Sequence, residues 1–535
     1  MVPAASENSA YAAIGRKWKA ATKAVLGGEI GDFSEYEGWL SSIRTLRSSG
    51  KSSLSGKEVF FTHSEYPQKA RTVALDEIDF NKKYAPLNIN SLKDIDSIIE
   101  AVSERAIYTG NVVLGNSRFV EKSSGVLDCN YIYRCDRIAH STYVAHSTII
   151  SYCECAFGVE GSGNSSFVIK GGCNMFVSRC LEASKCDNSS DIYYCHGLSG
   201  CADCMFSFNM KSRRNCIGNL QLPREKYLEI KAKLLSEMRE MLKREKRLPH
   251  ITSLAGSCKP DYSEMKKAMG KMPAPPSEKP DTKPVETAFS KTTGLLFGVS
   301  RQGVDKYGEW LKRHVNPVYE QKSCASGKRL LLSEHSHFML FPRDRLINIH
   351  EADFLGENLK ISEEEAGSIS LQNAAGTISK LAYFCPDWEM GNVGNLSDCL
   401  VAINSNTCHK CILPINSKLC SHYYWPRDSE HLFGGNETRT SSFCINTYHS
   451  EKLARCFEVD SSWNCSGCYF CHDCENVHDS MFCFNVKNMK YAIGNIGLPR
   501  EQYLEIKKRV LVEINAQLDK EAAVRQSIFS IGAKR

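Results

Sequence analysis

Between Cys129 and Cys204 the pattern of small, apolar and polar positions repeats every six residues. One column runs Cys129, Cys135, Ser141, Ser147, Cys153, Val159, Ser165, Gly171, Val177, Ala183, Ser189, Cys195, Cys201 and is mostly small. A second runs Ile132, Ile138, Val144, Ile150, Ala156, Ser162, Val168, Asn174, Cys180, Cys186, Ile192, Leu198, Cys204 and is mostly apolar or thiol. The column after the small one, from Asn130 and Asp136 to Ser166, is polar. A helical period would smear these columns, and a period of two would not separate them. The pattern predicts a β-solenoid with about six residues on each short side, its coils stacking to bury a narrow core. Cysteine suits such a core because it behaves as a small apolar residue.

The design occurs twice. The segment from Arg179 to Lys211 aligns without a gap on Arg455 to Lys487, at an offset of 276. Cys180 meets Cys456, Glu182 meets Glu458, Cys195-His196 meets Cys471-His472, Asp203 meets Asp479 and Asn209 meets Asn485. The offset is a multiple of six, so both blocks share one register. Pro414 and Pro426 interrupt the second block's apolar column and predict distorted coils there. Upstream, Trp39 with Ser55-Gly56-Lys57 resembles Trp310 with Ser326-Gly327-Lys328.

After each block, Pro223 and Pro499 open an apolar stripe at helical spacing: Tyr227, Ile230, Leu234, Met238 and Met241, and Tyr503, Ile506, Val510 and Ile514. These predict amphipathic capping helices. Before each block, EVFFTHS, ARTVALDEIDF and RLLLSEHSHFMLF read as strands, and 91–107 as a helix. The expected fold is therefore mainly β. An α/β module (1–106), a cysteine-rich solenoid (107–220) and a capping helix (221–247) lead to a Pro/Lys-rich linker (248–292). A second module (293–382), solenoid (383–496) and helix with tail (497–535) follow. The linker holds seven of the seventeen prolines, including Pro273, Pro275 and Pro276, and reads as a semi-extended connector.

Composition narrows the classes. The 535 residues are 42% hydrophobic and 24% charged, which excludes wholesale disorder. No apolar run is long enough for a transmembrane helix. The N-terminus lacks the apolar region of a secretory signal, although its Ala- and Lys-rich start is a weak transit-peptide feature. The 25 cysteines, an odd number without an export signal, point to reduced thiols in a cytoplasmic, reducing compartment. A net charge of +6 permits nucleic-acid contact without requiring it.

Candidate chemistry is sparse. Cys465, Cys468, Cys471 and Cys474 have the spacing of a zinc or iron–sulfur site, with His472 alongside. The matching residues of the first copy, Ser189, Ile192, Cys195 and Leu198, cannot form one, so core packing is the preferred reading. Cys201/Cys204, Cys408/Cys411 and Cys153/Cys155 read likewise as core. Cys195-His196 is a conceivable nucleophile pair, but neighbours on an extended strand face opposite ways. Glu182/Glu458 and Asp203/Asp479 are the recurrent acids a glycan-cleaving groove would need. Lys243, Arg244, Lys246 and Arg247 could touch phosphate or simply complement a helix C-terminus. No Walker loop or G-x-S-x-G elbow is present, and no catalytic residue or cofactor is assigned.

The close of each block carries a family resemblance. Asn485-Val486-Lys487-Asn488-Met489-Lys490-Tyr491-Ala492-Ile493-Gly494-Asn495, followed by Glu501 and Tyr503, resembles the closing phrase of duplicated cysteine-rich proteins from phage and uncultivated-bacterial genomes. Asn209 through Tyr227 is a looser copy. The resemblance covers about 60% of the chain and implies the architecture rather than an activity. Many of those proteins begin with paired zinc ribbons; this chain has no cysteine before Cys129, so that feature does not carry over. The resulting expectation is a non-enzymatic structural protein that bridges other protein subunits, or further copies of itself, in an assembly such as a virion. The alternatives are a thiolate zinc or iron–sulfur protein binding nucleic acid, and a solenoid glycan hydrolase.

Overall fold

The computed structural model describes residues 9–43, 48–62, 65–67, 69–274, 279–334 and 336–532. His63, Ser64, Pro275, Pro276 and His335, which fall in predicted strands and the linker, lie outside the described residues. The chain is 29% helical and 32% strand. It is therefore mixed rather than mainly β, because the modules and the linker are largely helical.

The strands of each cysteine-rich block form a parallel stack; the first sheet has fourteen strands, of which the last, Leu220–Gln221, is antiparallel, and the second has eight. From Arg118 on, paired residues of the first parallel stack stand twelve apart, as Thr142 with Glu154 and Val144 with Ala156, and so do those of the second, as Leu432 with Cys444; at the first edge the step is thirteen, Val113 with Val126. The period of six is thus half of a twelve-residue repeat. Beneath it lies a finer period of three. Every third residue from Phe119 to Gly218, and again from Asn395 to Gly494, has a left-handed backbone. The residue after each such corner points inward, so both sequence columns face the same core. Val126, Cys129, Ile132, Cys135 and Ile138 begin that buried core in the first stack. Cys456, Val459, Cys465, Cys468 and Cys471 belong to its counterpart in the second.

The small column has a hydrogen-bonding duty as well as a size. The inward N–H of Cys153 is donated to Ser141 Oγ (3.0 Å), twelve residues earlier, and Ser141 Oγ donates to Ala139 O (2.7 Å). Cysteine does the same work: Ser141 N donates to Cys129 Sγ (3.3 Å). In the second stack an unbroken ladder runs through Ser405, Ser417, Ser429 and Ser441 to Leu453 N. A buried N–H needs an acceptor, so the column selects Ser and Cys over Ala. The expected distortion at Pro414 and Pro426 does not break the ladder. They sit twelve apart, and their carbonyls accept Ile403 N and Ile415 N, both at 2.9 Å.

Four helices frame the stacks: α1 (Ala10–Leu26), α2 (Arg224–Glu245), α3 (Lys283–Phe297) and α4 (Arg500–Glu521). On α2, Tyr227, Ile230, Leu234, Met238 and Leu242 are buried, with Met241 at the margin. Lys231 of α2 reaches Asp203 (2.8 Å) and Asp191 (3.7 Å), residues twelve apart, so this part of α2 lies along the side of the stack. The semi-extended linker is corrected. Ile251–Gly256, Ser263–Met269 and α3 are helical, and Ile251, Leu254, Met265, Val285 and Phe289 are buried. Pro284 fits because the first turn of α3 needs no N–H from it. The segment RLLLSEHSHFMLF is likewise only half strand: Arg329–Ser333 pairs with Val318–Lys322, and Ser336–Met339 is helical. Among the described residues no helix is long and apolar enough to cross a membrane.

The later part of each module is exchanged between copies, while the earlier part stays on its own stack, as the contacts of Lys170 with Trp39 O and of His409 with Asp305 show. Asn485 Nδ2 of the second stack donates to Ile107 O (2.8 Å), and Asn209 Nδ2 of the first donates to Tyr383 O (2.9 Å). These contacts coincide under the 276 offset, so each stack is completed by the end of the module that precedes the other. The stacks also meet directly through the Arg137–Glu437 ion pair.

The ladder gives a test. Ser429→Ala removes the acceptor for Ser441 N and should cost about 1–3 kcal/mol, whereas Ser429→Cys should cost less than half of that loss. Urea-unfolding midpoints of the two variants check this; equal losses would reduce the column to a size requirement.

Candidate functional site: buried polar bridges and the thiol core

The backbone period of three explains the C-x-x-C-x-x-C-x-x-C run. Cys465, Cys468, Cys471 and Cys474 are successive inward residues and fill all four inward positions of one twelve-residue repeat. Cys456 and Cys483 lie twelve residues from Cys468 and Cys471, in the flanking repeats. All six are at most 2% exposed. The sulfurs hydrogen-bond to backbone carbonyls: Cys465 to Trp463 O and Cys474 O (both 3.4 Å), Cys468 to Val477 O (3.2 Å), Cys474 to Cys483 O (3.4 Å). Burial pushes the Cys474 thiol well up. Cys201/Cys204 and Cys408/Cys411 are neighbouring inward positions of the same kind. Cys153 points inward, and Cys155 sits at a left-handed corner.

His196 and His472 follow inward cysteines and point out of the stack, yet both are completely buried because a module covers them. His196 Nε2 accepts Cys385 N (3.1 Å), and His472 Nε2 accepts Thr109 N (3.3 Å). Their Nδ1 atoms meet Ser184 Oγ (2.9 Å) and Asp460 Oδ2 (2.8 Å). Ser184 Oγ also meets His337 Nε2 (2.7 Å), and Tyr66 OH reaches Asp460 Oδ2 (3.3 Å). The Cys195 thiol instead donates inward to Tyr193 O (3.3 Å) and Cys204 O (3.5 Å), so Cys195 and His196 share no proton. These histidines pin exchanged modules to stacks. Burial holds the His196 imidazole well below its ordinary pKa.

The recurrent glutamates are also internal. Glu182 and Glu458 are completely buried. Glu182 Oε2 accepts Ile251 N (3.0 Å) and lies 3.5 Å from His250 Nε2; Glu458 Oε2 accepts Ile528 N (2.9 Å) and Ser527 Oγ (3.0 Å). Neither lines a groove. Twelve residues before each stands its partner: Lys170, which donates to Trp39 O (2.8 Å) and Ser42 Oγ (2.9 Å), and Asn446, which donates to Glu458 Oε1 (2.9 Å). Burial pushes Glu182 up to about 7, against the pull of Lys170, and pushes Lys170 down to about 8. Asp203 is an ordinary half-exposed partner of Lys231. In the basic run at the end of α2, Lys246 pairs with Glu35 (2.5 Å) and Arg244 with Glu245 (2.8 Å).

Several members of these bridges were invisible to comparison of the two copies because they differ between them: Lys170 against Asn446, Ser184 against Asp460, His337 against Tyr66. Their signal is the step of twelve along a corner column, which relates Lys170 to Glu182. No family model and no curated protein matches this chain.

The carboxyl of Glu182, raised above its unfolded value, contributes stability below about pH 4.5 and loses it as pH rises through about 7. Lys170→Met removes the attraction that limits this rise. Its destabilisation should therefore grow between pH 6 and 8, while Lys170→Asn, which copies the second stack, should show less than half of that growth. Unfolding midpoints across this range check it; a pH-independent loss would remove the electrostatic role of Lys170.

Proposed function

We propose that the two parallel stacks are β-solenoids and that the chain is a non-enzymatic structural component of a large assembly such as a virion. The observation that carries this reading is the fate of the recurrent polar residues. Glu182/Glu458, His196/His472 and Asn209/Asn485 are the residues a shared chemistry would use, and all six are consumed by internal bridges. What duplication has kept is the means of holding two copies together. The partners are other protein subunits or further copies of the chain, meeting two quasi-equivalent faces of a rigid body. The virion setting rests on the resemblance to phage-encoded duplicated proteins.

Size fractionation of a native lysate, with detection of the untagged chain, tests the proposal. Migration within a complex far larger than one chain is expected. A free monomer throughout would overturn it.

A second reading, a thiolate-metal protein that binds nucleic acid, is favoured by the four buried inward thiols Cys465, Cys468, Cys471 and Cys474 of one repeat. Elemental analysis of protein purified without chelator or added metal decides between the two. Nearly all 25 thiols free but unreactive until denaturation would favour the packing role. Stoichiometric zinc or iron that is lost on Cys471→Ser would favour the metal role.

A further inference from the structure

Outside the thiol core, one cluster departs from the symmetry of the two copies. Asp305 lies in a short 3-10 turn, Val304–Tyr307, that packs against the second stack. One of its carboxylate oxygens, Oδ1, faces His409 Nε2 at 2.9 Å, His422 Nε2 at 3.3 Å and Lys410 Nζ at 2.8 Å. The three His and Asp ligand atoms all lie within 4.8 Å of one another, a grouping of metal-ligating side chains that no other residues form among the described ones. Both imidazoles are buried, and Asp305 is exposed.

The first copy shows what packing alone requires. At the positions of His409 and His422 it has Tyr133 and His146, and at the position of Asp305 it has Ser34. There a single carboxylate, Glu37 Oε2, meets His146 Nε2 at 3.1 Å, and Tyr11 OH donates to Glu37 Oε1 at 2.9 Å. One imidazole–carboxylate contact suffices to dock that turn. The second copy adds an imidazole and moves the carboxylate three residues back. In place of Glu37 it has Gly308, where a Cβ would lie only 3.0 Å from His422 Nε2. Room is thus kept beside the very nitrogen that faces Asp305.

We propose that Asp305, His409 and His422 bind a borderline divalent transition-metal ion such as Zn²⁺ or Co²⁺. Two imidazole nitrogens and one carboxylate oxygen are a donor set such ions prefer. Around an ion with bonds of about 2.0–2.1 Å, neighbouring ligand atoms in a tetrahedron stand about 3.4 Å apart; His422 Nε2 lies 3.3 Å and His409 Nε2 2.9 Å from Asp305 Oδ1. His422 Nδ1 is engaged by Ser421 Oγ at 2.8 Å, the kind of outer contact that orients a ligating imidazole. Lys410 is the competing cation. It is part-exposed, so its ammonium can leave Asp305 for solvent when the ion arrives. The ion would staple the turn carrying Asp305 to the second stack and leave its remaining coordination to water.

Titration of the full-length chain with Co²⁺, followed by visible absorption, tests this. One equivalent is expected, with tetrahedral ligand-field bands, without a sulfur-to-cobalt charge-transfer band, and displaced by Zn²⁺. Asp305→Asn, an exposed substitution that preserves shape, should weaken binding at least about tenfold. Lys410→Ala should tighten it several-fold. Far-UV circular dichroism confirms that both variants are folded. Absence of binding to both the wild type and Lys410→Ala would overturn the proposal. Binding that survives Asp305→Asn and carries a thiolate charge-transfer band would overturn it too, by placing the ion in the cysteine core.

Discussion

The structure depends on a backbone that turns left-handed at every third residue. For a residue with a side chain this costs on the order of 1–2 kcal/mol, and here aromatic and β-branched residues such as Tyr131, Phe167, Ile149 and Thr407 adopt it. The cost is met by hydrogen bonds that fix each corner from two directions. The corner N–H is donated to the preceding repeat, as from Arg134 to Glu121 O (3.0 Å) and from His146 to Tyr133 O (3.1 Å). The residue two places further on donates to the following repeat, as from Asn130 to Ser141 O (3.1 Å). In the small column the inward residue between them is left with an N–H that only a side chain from the repeat before can satisfy. From that need comes the richness in serine and cysteine.

A narrow stack of this kind offers little internal apolar area, and its outer faces need cover. Each stack borrows its cover from helices and from the module of the other copy. The bridges are polar because the corners present side chains such as Lys170, Glu182, Asn209 and Asn485 to whatever lies against them. Each of these groups makes at least one hydrogen bond, which offsets part of the cost of its burial, and the reciprocal contacts of Asn209 and Asn485 lock the copies into one body. The differences between the copies, at Lys170 and Asn446 or at Glu37 and Gly308, show where packing left the chemistry free to diverge.

Much of the repeat was written in the sequence. The period of six, the duplication at 276 and the buried stripes of α2 and α4 follow from where small, apolar and polar residues fall, because burial in a repeating fold imposes its period on composition. The spacing of Cys465, Cys468, Cys471 and Cys474 belongs to the same signal, since a period of three puts a residue inward at each step. Tertiary structure alone decided that six is half of twelve, because strand register is a relation between distant segments. It alone made helices of the linker, where Ile251 and Phe289 found apolar partners that composition could not announce. Which module end meets which stack was also settled only in three dimensions: similar copies give no local preference, and the choice rests on contacts such as His196 with Cys385 N. The gathering of Asp305, His409 and His422 came the same way, from one turn and two adjacent repeats more than a hundred residues apart in the chain.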